Sequence, residues 1–168
     1  NNQIKRAAVV GVGYLGNFHA QKYKALSNLV NLVGVFDANL SQAQKIAGDL
    51  NIRCFESLGS MVGQVDLVTI AATTSAHFEL AKFFLENKIH VNVEKPITAN
   101  SHQGQALNAL AKANNLKLAV GQSERFNPAV VELKKHLYSP SFIEMVRLAP
   151  YKARGADVSV VHDLMIHD

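Results

Sequence analysis

The run "IKRAAVVGVGYLG", residues 4–16, limits what this chain can fold into more than any other stretch. Its apolar part is short and is stopped by Gly11, Gly13 and Gly16. A short apolar run closed by glycines reads as a buried parallel strand. From Tyr14 to about Ser27 the pattern turns helical. The G-x-G-x-x-G spacing therefore lies between a strand and a helix, the context in which it signals a dinucleotide site. Gly11 permits the tight turn, and Gly13 lets the backbone approach a pyrophosphate. Gly16 lets helix and strand pack closely, and the helix N-terminus attracts phosphate.

The same alternation continues downstream. "LVNLVGVFD" predicts a second strand ending at Asp37, and "SQAQKIAGDL" a helix with Ser41 as N-cap. A short strand is expected near "IRCF" and a short helix near "SLGSMVG". "DLVTIAAT" and "KIHVNVE" read as strands around the amphipathic helix "SAHFELAKFFLEN". "SHQGQALNALAKAN" and "LKLAVG" add one more helix and strand. Strand–helix alternation from residue 4 to about 121 implies an α/β, doubly wound parallel sheet covered on both faces by right-handed crossovers.

After Gly121 the rhythm changes. "RFNPAVVELKKHL" reads as a helix with Asn127 as cap and Pro128 in its first turn. "SFIEMVRLA" reads as one longer strand, and "ADVSVVHDLMIHD" starts a helix inside which the chain stops. The expected organisation is a dinucleotide-binding domain over 1–121. Residues 122–168 are then a connecting segment and the start of an α+β substrate and dimerisation domain, its remainder cut off. The missing initiator Met fits the same reading of a trimmed chain.

Composition narrows the function classes. The chain has 168 residues, enough for one domain with a real core, or one plus a fragment of a second. Its 17 Lys and Arg are scattered and the net charge is +4, so no nucleic-acid surface is expected, while anionic small molecules remain open. No apolar run approaches the ~18 residues of a membrane helix. "NNQIKR" is too short and polar to begin a signal peptide. Cys54 is the single cysteine, so no internal disulfide forms, which fits a reducing cytoplasm. It reads as a small half-buried side chain. No metal site is expected.

Two constellations carry chemistry. Asp37 follows Gly16 by 21 residues at a strand end, where a carboxylate accepts from both hydroxyls of an adenosine ribose and repels a 2′-phosphate. Ala38, Asn39 and Leu40 follow it, with no arginine, so NAD is expected over NADP. The blander role for Asp37 is a turn or helix cap. "HVNVEKP" is the fifth strand, with Glu94 and Lys95 at its carboxyl end, where ligands bind in such sheets. Pro96 sets the backbone after them and is compatible with a cis bond. In "HDLMIHD", Asp163 and His167 are four residues apart and share a helix face, whereas His162 and Asp168 do not join them. A carboxylate beside an imidazole orients it and suits it to acid–base work on an alcohol–ketone pair. The blander reading is a polar helix face.

"GVGYLG", "ATTSAHFELA", "VNVEKPIT" and "DLMIH", in that order across nearly the whole chain, resemble the Gfo/Idh/MocA oxidoreductases. Thr74 departs from the proline many members carry. The resemblance implies that Lys95 bonds the reacting hydroxyl and the nicotinamide ribose, Asp163 positions Lys95 and substrate, and His167 takes the hydroxyl proton. Glu94 would help hold the cofactor near its ribose. Tyr14, Leu15, Ala72, Thr73, His77 and Gln122 complete the expected cofactor set. "GQSERFNPAV" with "DLMIHD" resembles the sugar-nucleotide branch, the UDP-N-acetylglucosamine 3-dehydrogenases and related UDP-sugar oxidases. Arg125, Lys152 and Arg154 would then meet a diphosphate. Alternatively Arg125 makes a structural ion pair and the other two are solvated. The expected activity is NAD-dependent oxidation of a ring hydroxyl of a sugar or sugar nucleotide, a UDP-amino sugar in particular, by a homo-oligomer when full length. Against it stand a non-catalytic NAD-binding regulatory module or inactive fragment of the same fold, and an NADP-dependent reductase of another cyclic substrate.

Overall fold

The computed structural model describes residues 4–144 and 146. The chain divides into two units, Asn1–Gly121 and Gln122–Asp168. The first is a six-stranded parallel sheet. Its strands are β1 Lys5–Val10, β2 Val30–Phe36, β3 Arg53–Cys54, β4 Leu67–Ile70, β5 His90–Glu94 and β6 Leu118–Gly121. They lie in the order β3-β2-β1-β4-β5-β6. That order reverses direction between β1 and β4, the switch point at which doubly wound sheets open a crevice above their carboxyl ends. The helices are α1 Tyr14–Ala25, α2 Leu40–Leu50, α3 Thr74–Glu86 and α4 Ser101–Ala113, with a 3-10 turn at Gly59–Met61.

Strand pleat sorts the core onto two faces. Val9, Leu32 and Val35 pack with Ala20, Ala43 and Ile46 of α1 and α2. Ala8, Val10, Val68, Ile70, Val91 and Val93 pack with Phe84, Leu85 and Leu107 of α3 and α4. Both faces are covered, so consecutive residues of β1 are buried and no polar alternation appears. Below the sheet, Arg6 and Asp66 tie β1 to the start of β4 at 2.8 Å. On the α1 face the apolar pattern is interrupted at Thr69, which is fully buried. Its hydroxyl meets Tyr23 Oη of α1 at 2.7 Å and accepts from Asn92 Nδ2 at 3.4 Å, so the buried polar group is satisfied.

Two local expectations differ from the structure. α2 begins at Leu40 with Asn39, not Ser41, as its N-cap. Asn39 Oδ1 accepts from the Gln42 amide at 3.3 Å and from Ser41 Oγ at 2.7 Å. Asparagine caps as well as serine does, and it stands two residues nearer the strand end. In the second unit a 3-10 turn, Ser123–Phe126, precedes α5 Pro128–Leu133. Asn127 caps α5 through the Ala129 amide at 3.0 Å, with Pro128 at its first position. The strand expected over "SFIEMVRLA" is absent from its described residues, Ser141–Glu144 and Val146. A strand needs a ladder partner, and no strand of the described second unit offers one. The helix expected over 156–168 lies outside the described residues.

Candidate functional site

The carboxyl ends of β1, β2, β4, β5 and β6 form one edge, and the candidate residues of the first unit gather there. β1 runs into Gly11, whose φ is +82° and whose amide donates to Phe36 O at 2.8 Å. A Cβ at Gly11 would lie 2.7 Å from the Ala72 nitrogen, so glycine is required by conformation and by crowding. A Cβ at Gly16 would stand 1.8 Å from the Gly11 carbonyl oxygen, because α1 rises directly against the turn that feeds it. Gly13 differs. It is the N-cap of α1, and nothing lies within 4 Å of the Cβ it lacks. The opening stands at the N-terminus of a 12-residue helix with no acidic residue in its first turn. Such a site suits an anion.

Asp37 is held against the same turn. Its Oδ2 accepts from the Val12 amide at 2.7 Å and its Oδ1 from the Asn39 amide at 2.8 Å. The aspartate thus makes the local turn contact and also braces the glycine loop, and each oxygen keeps capacity for a further donor. Gln42 Nε2 donates to Val12 O at 3.1 Å, so both backbone groups of Val12 are fixed from the α2 side. Sequence reasoning did not mark Gln42. A polar side chain in the first turn of the helix after Asp37 was the available signal.

The other half of the edge is built on β4 and β5. Thr73 is the N-cap of α3 and Thr74 its first residue, the position where proline is tolerated best. The Thr74 departure therefore falls where either residue fits. His77 is 1% exposed. Its Nδ1 lies 2.8 Å from Pro96 O and its Nε2 3.1 Å from Ala72 O. His77 thus lies within hydrogen-bond distance of a backbone carbonyl in each of the loops after β4 and β5. The Lys95–Pro96 bond is cis.

Glu94 sits at the centre of this half. Its Oε1 accepts from His19 Nε2 of α1 at 2.8 Å, and its Oε2 accepts from the Lys95 amide at 3.3 Å. Gly121 of β6 lies beneath it: a Cβ there would be 2.5 Å from Oε1. Neither His19 nor Gly121 was marked from the sequence. The signal for His19 was an imidazole three residues beyond Gly16, on the helix that the glycine turn opens.

Burial opposes the charge on Glu94, but the His19 hydrogen bond and charge, with the Lys95 amide and ammonium, outweigh it and hold the carboxyl below the usual glutamate range. Asp66 is held low by the Arg6 guanidinium, against a smaller burial effect. A carboxyl whose folded pKa is depressed contributes stability above its unfolded pKa and loses it as pH falls through the folded value. Thermal melts of the chain are expected to lose stability below about pH 4. Glu94→Gln should remove part of that acid limb. An acid limb identical to that of the unaltered chain would show that Glu94 carries no such linkage.

Arg125 lies in the 3-10 turn of the second unit, is exposed, and donates its amide to Gln122 O at 3.2 Å. Its side chain has no ion-pair partner among the described residues. Lys152, Arg154, Asp163 and His167 lie outside the described residues. Among the described residues no group of three His, Cys, Asp or Glu is placed to hold a metal. Among them, too, no helix is long and apolar enough to cross a membrane.

Residues 5–122 match the family described as an oxidoreductase family with an NAD-binding Rossmann fold. Over 164 residues the chain is 42% identical to the UDP-N-acetylglucosamine 3-dehydrogenase of Acidithiobacillus ferrooxidans, covering 97% of this chain and 51% of that protein. The solved structure of that species' enzyme matches with a TM-score of 0.91 at 40% identity, covering 98% of this chain and 54% of the other. The scyllo-inositol 2-dehydrogenase (NAD(+)) of Bacillus subtilis is 30% identical over 135 residues, covering 79% of this chain and 40% of that protein. The chain spans about half the length of these curated relatives.

Proposed function

From a chain that belongs to the Gfo/Idh/MocA oxidoreductase family, with its Rossmann fold, we propose an NAD-dependent dehydrogenase that oxidises a ring hydroxyl of a UDP-linked amino sugar to a ketone. The observation that carries the reading is the opening at Gly13 over the N-terminus of α1, with the Asp37 carboxylate held against the same loop. The cofactor's diphosphate suits the first, and its adenosine ribose the second. Likeness to a UDP-N-acetylglucosamine 3-dehydrogenase supports the sugar-nucleotide half.

The residue roles are those the family resemblance implies, and each is chemically consistent with the residue type. The α1 amides receive the diphosphate, with Tyr14 and Leu15 in the first turn, and Asp37 receives the ribose hydroxyls. Ala72 and Thr73 flank the cofactor from the β4 loop, His77 shapes that loop, and Gln122 closes the set. Glu94 supports the nicotinamide ribose. When bound, the nicotinamide supplies the hydride acceptor. Lys95 Nζ hydrogen-bonds the reacting hydroxyl, Asp163 orients Lys95 and substrate, and a ring nitrogen of His167 takes the hydroxyl proton. Arg125, Lys152 and Arg154 are the cations for the substrate diphosphate, where guanidinium forks suit phosphate oxygens. In this reading residues 1–121 form the cofactor domain and 122–168 lead into the substrate and dimerisation domain. The protein works as a homo-oligomer in the cytoplasm.

The test is NADH formation by the protein that carries this chain. UDP-N-acetylglucosamine, its uronic acid, free glucose and myo-inositol are offered, each with NAD and with NADP. Activity is expected on UDP-sugars with NAD, and Asp37→Asn should narrow the preference over NADP. Turnover of free polyols alone would reject the sugar-nucleotide assignment. Equal use of the two cofactors would reject the role of Asp37.

A further inference from the structure

Three separate elements converge on the Glu94 carboxylate. His19 reaches it from α1, the Lys95 amide holds it from the turn after β5, and Gly121 of β6 leaves the space it occupies. His19 is on α1, the helix whose N-terminus carries the Gly13 opening and which follows β1, two strands away from β5 in the sheet. Its imidazole therefore bridges the two halves of the edge, and its side chain and that of Glu94 are 27% and 13% exposed. The short contact pairs an N–H with a carboxylate that burial alone would disfavour, so it is a strong hydrogen bond of the charge-assisted kind.

We propose that His19 is a positioning residue of the cofactor site: through Glu94 it fixes the spacing between the phosphate-binding helix and the β5 end that carries Lys95. The inference rests on the dehydrogenase reading above and adds to it a residue and a task. In a sheet ordered 3-2-1-4-5-6, the adenosine half of a dinucleotide lies over the β1–β3 side and the nicotinamide half over β4–β6. The His19–Glu94 link therefore acts on the nicotinamide half. The diphosphate and adenosine contacts, at Gly13 and Asp37, do not depend on it.

Binding of two probes separates these halves. ADP contains the adenosine and diphosphate alone, and NAD adds the nicotinamide riboside. Calorimetry of the full chain with each probe, paired with melts of the ligand-free chain, is the measurement. His19→Ala is expected to raise the NAD Kd roughly tenfold or more, as loss of a hydrogen bond to a charged group does. The ADP Kd should stay within about twofold, since the diphosphate site at the N-terminus of α1 is untouched. His19→Gln places an amide donor at the reach of Nε2 and should restore NAD binding, while His19→Asn, one carbon shorter, should not. Gly121→Ala is an independent route to the same loss. Its new Cβ displaces the carboxylate from below with His19 intact, and the melt of the ligand-free chain reads the stability lost with the same contact.

Equal weakening of ADP and NAD by His19→Ala would make the residue a general support of α1 and overturn the proposal. Failure of Gln to restore binding, or unchanged NAD affinity in both His19→Ala and Gly121→Ala, would also overturn it. If the unaltered chain binds neither probe, the cofactor reading itself falls and this one with it. If it binds both and the variants leave the two Kd values alone, only the role of His19 is lost.

Discussion

Lys95→Ala and His167→Ala, made in the protein that carries this chain, are each expected to lower kcat by roughly 10²–10⁴-fold, the range for a lost acid–base group. The NAD Kd should barely change. In the proposed mechanism these two side chains act on the barrier through proton transfer and placement of the reacting hydroxyl, whereas cofactor affinity is assigned to Gly13, Asp37 and the His19–Glu94 link. In the proposed mechanism the two side chains serve one proton-transfer event, so the double variant should lose little more than the worse single variant. Near-normal turnover in either variant would remove that residue from the mechanism. A matching rise in the NAD Kd would move it to cofactor binding.

Gly16→Ala and Gly13→Ala should differ in a way that separates packing from binding. At Gly16 the new Cβ meets a backbone oxygen at 1.8 Å, so the glycine turn or α1 must move. Overpacking of this kind costs about 1–3 kcal/mol or more. The ligand-free chain should melt lower, and NAD should bind about 10–100-fold more weakly if the strain falls on the loop. At Gly13 the new Cβ meets nothing within 4 Å and φ is −64°, so the melt should stay nearly where it was. NAD affinity should still fall steeply if the proposed site is right, because the methyl group would fill the space assigned to the diphosphate. Calorimetry and melts on both variants make the comparison. Unimpaired NAD binding by Gly13→Ala would mean that the opening is not where the diphosphate sits.

The elements that could be read from the sequence share a property. β1, β5 and the glycine turn announce themselves through contacts within a few residues. Apolar runs of strand length, a helical period starting at Tyr14 and glycines at turn positions are all local signals. Alternation then leaves few topologies, and right-handed crossovers select the observed one. Lys95 could be placed for the same reason, since a strand's carboxyl end is visible in the sequence that leaves it. The cap of α2 was missed by two residues because Asn39 and Ser41 cap about equally well in isolation. The expected strand over "SFIEMVRLA" could not be judged locally, since ladder pairing is a long-range property.

The parallel sheet, the glycine turn and the edge on which Asp37, Glu94 and Lys95 stand are legible in the order of residues, because period, glycine conformation and strand ends are short-range physics. What those residues touch emerges only once the sheet is assembled. Asp37 braces Val12 across 25 positions, His77 lies within hydrogen-bond distance of Ala72 and Pro96, and His19 reaches Glu94 across 75. Gly121 proved to be a glycine for the sake of that same carboxylate rather than for its own backbone. Contacts like these follow from strand order, which brings β1 beside β4 and lays α1 within reach of β5. No spacing along the chain encodes a distance that closes only when the sheet is assembled.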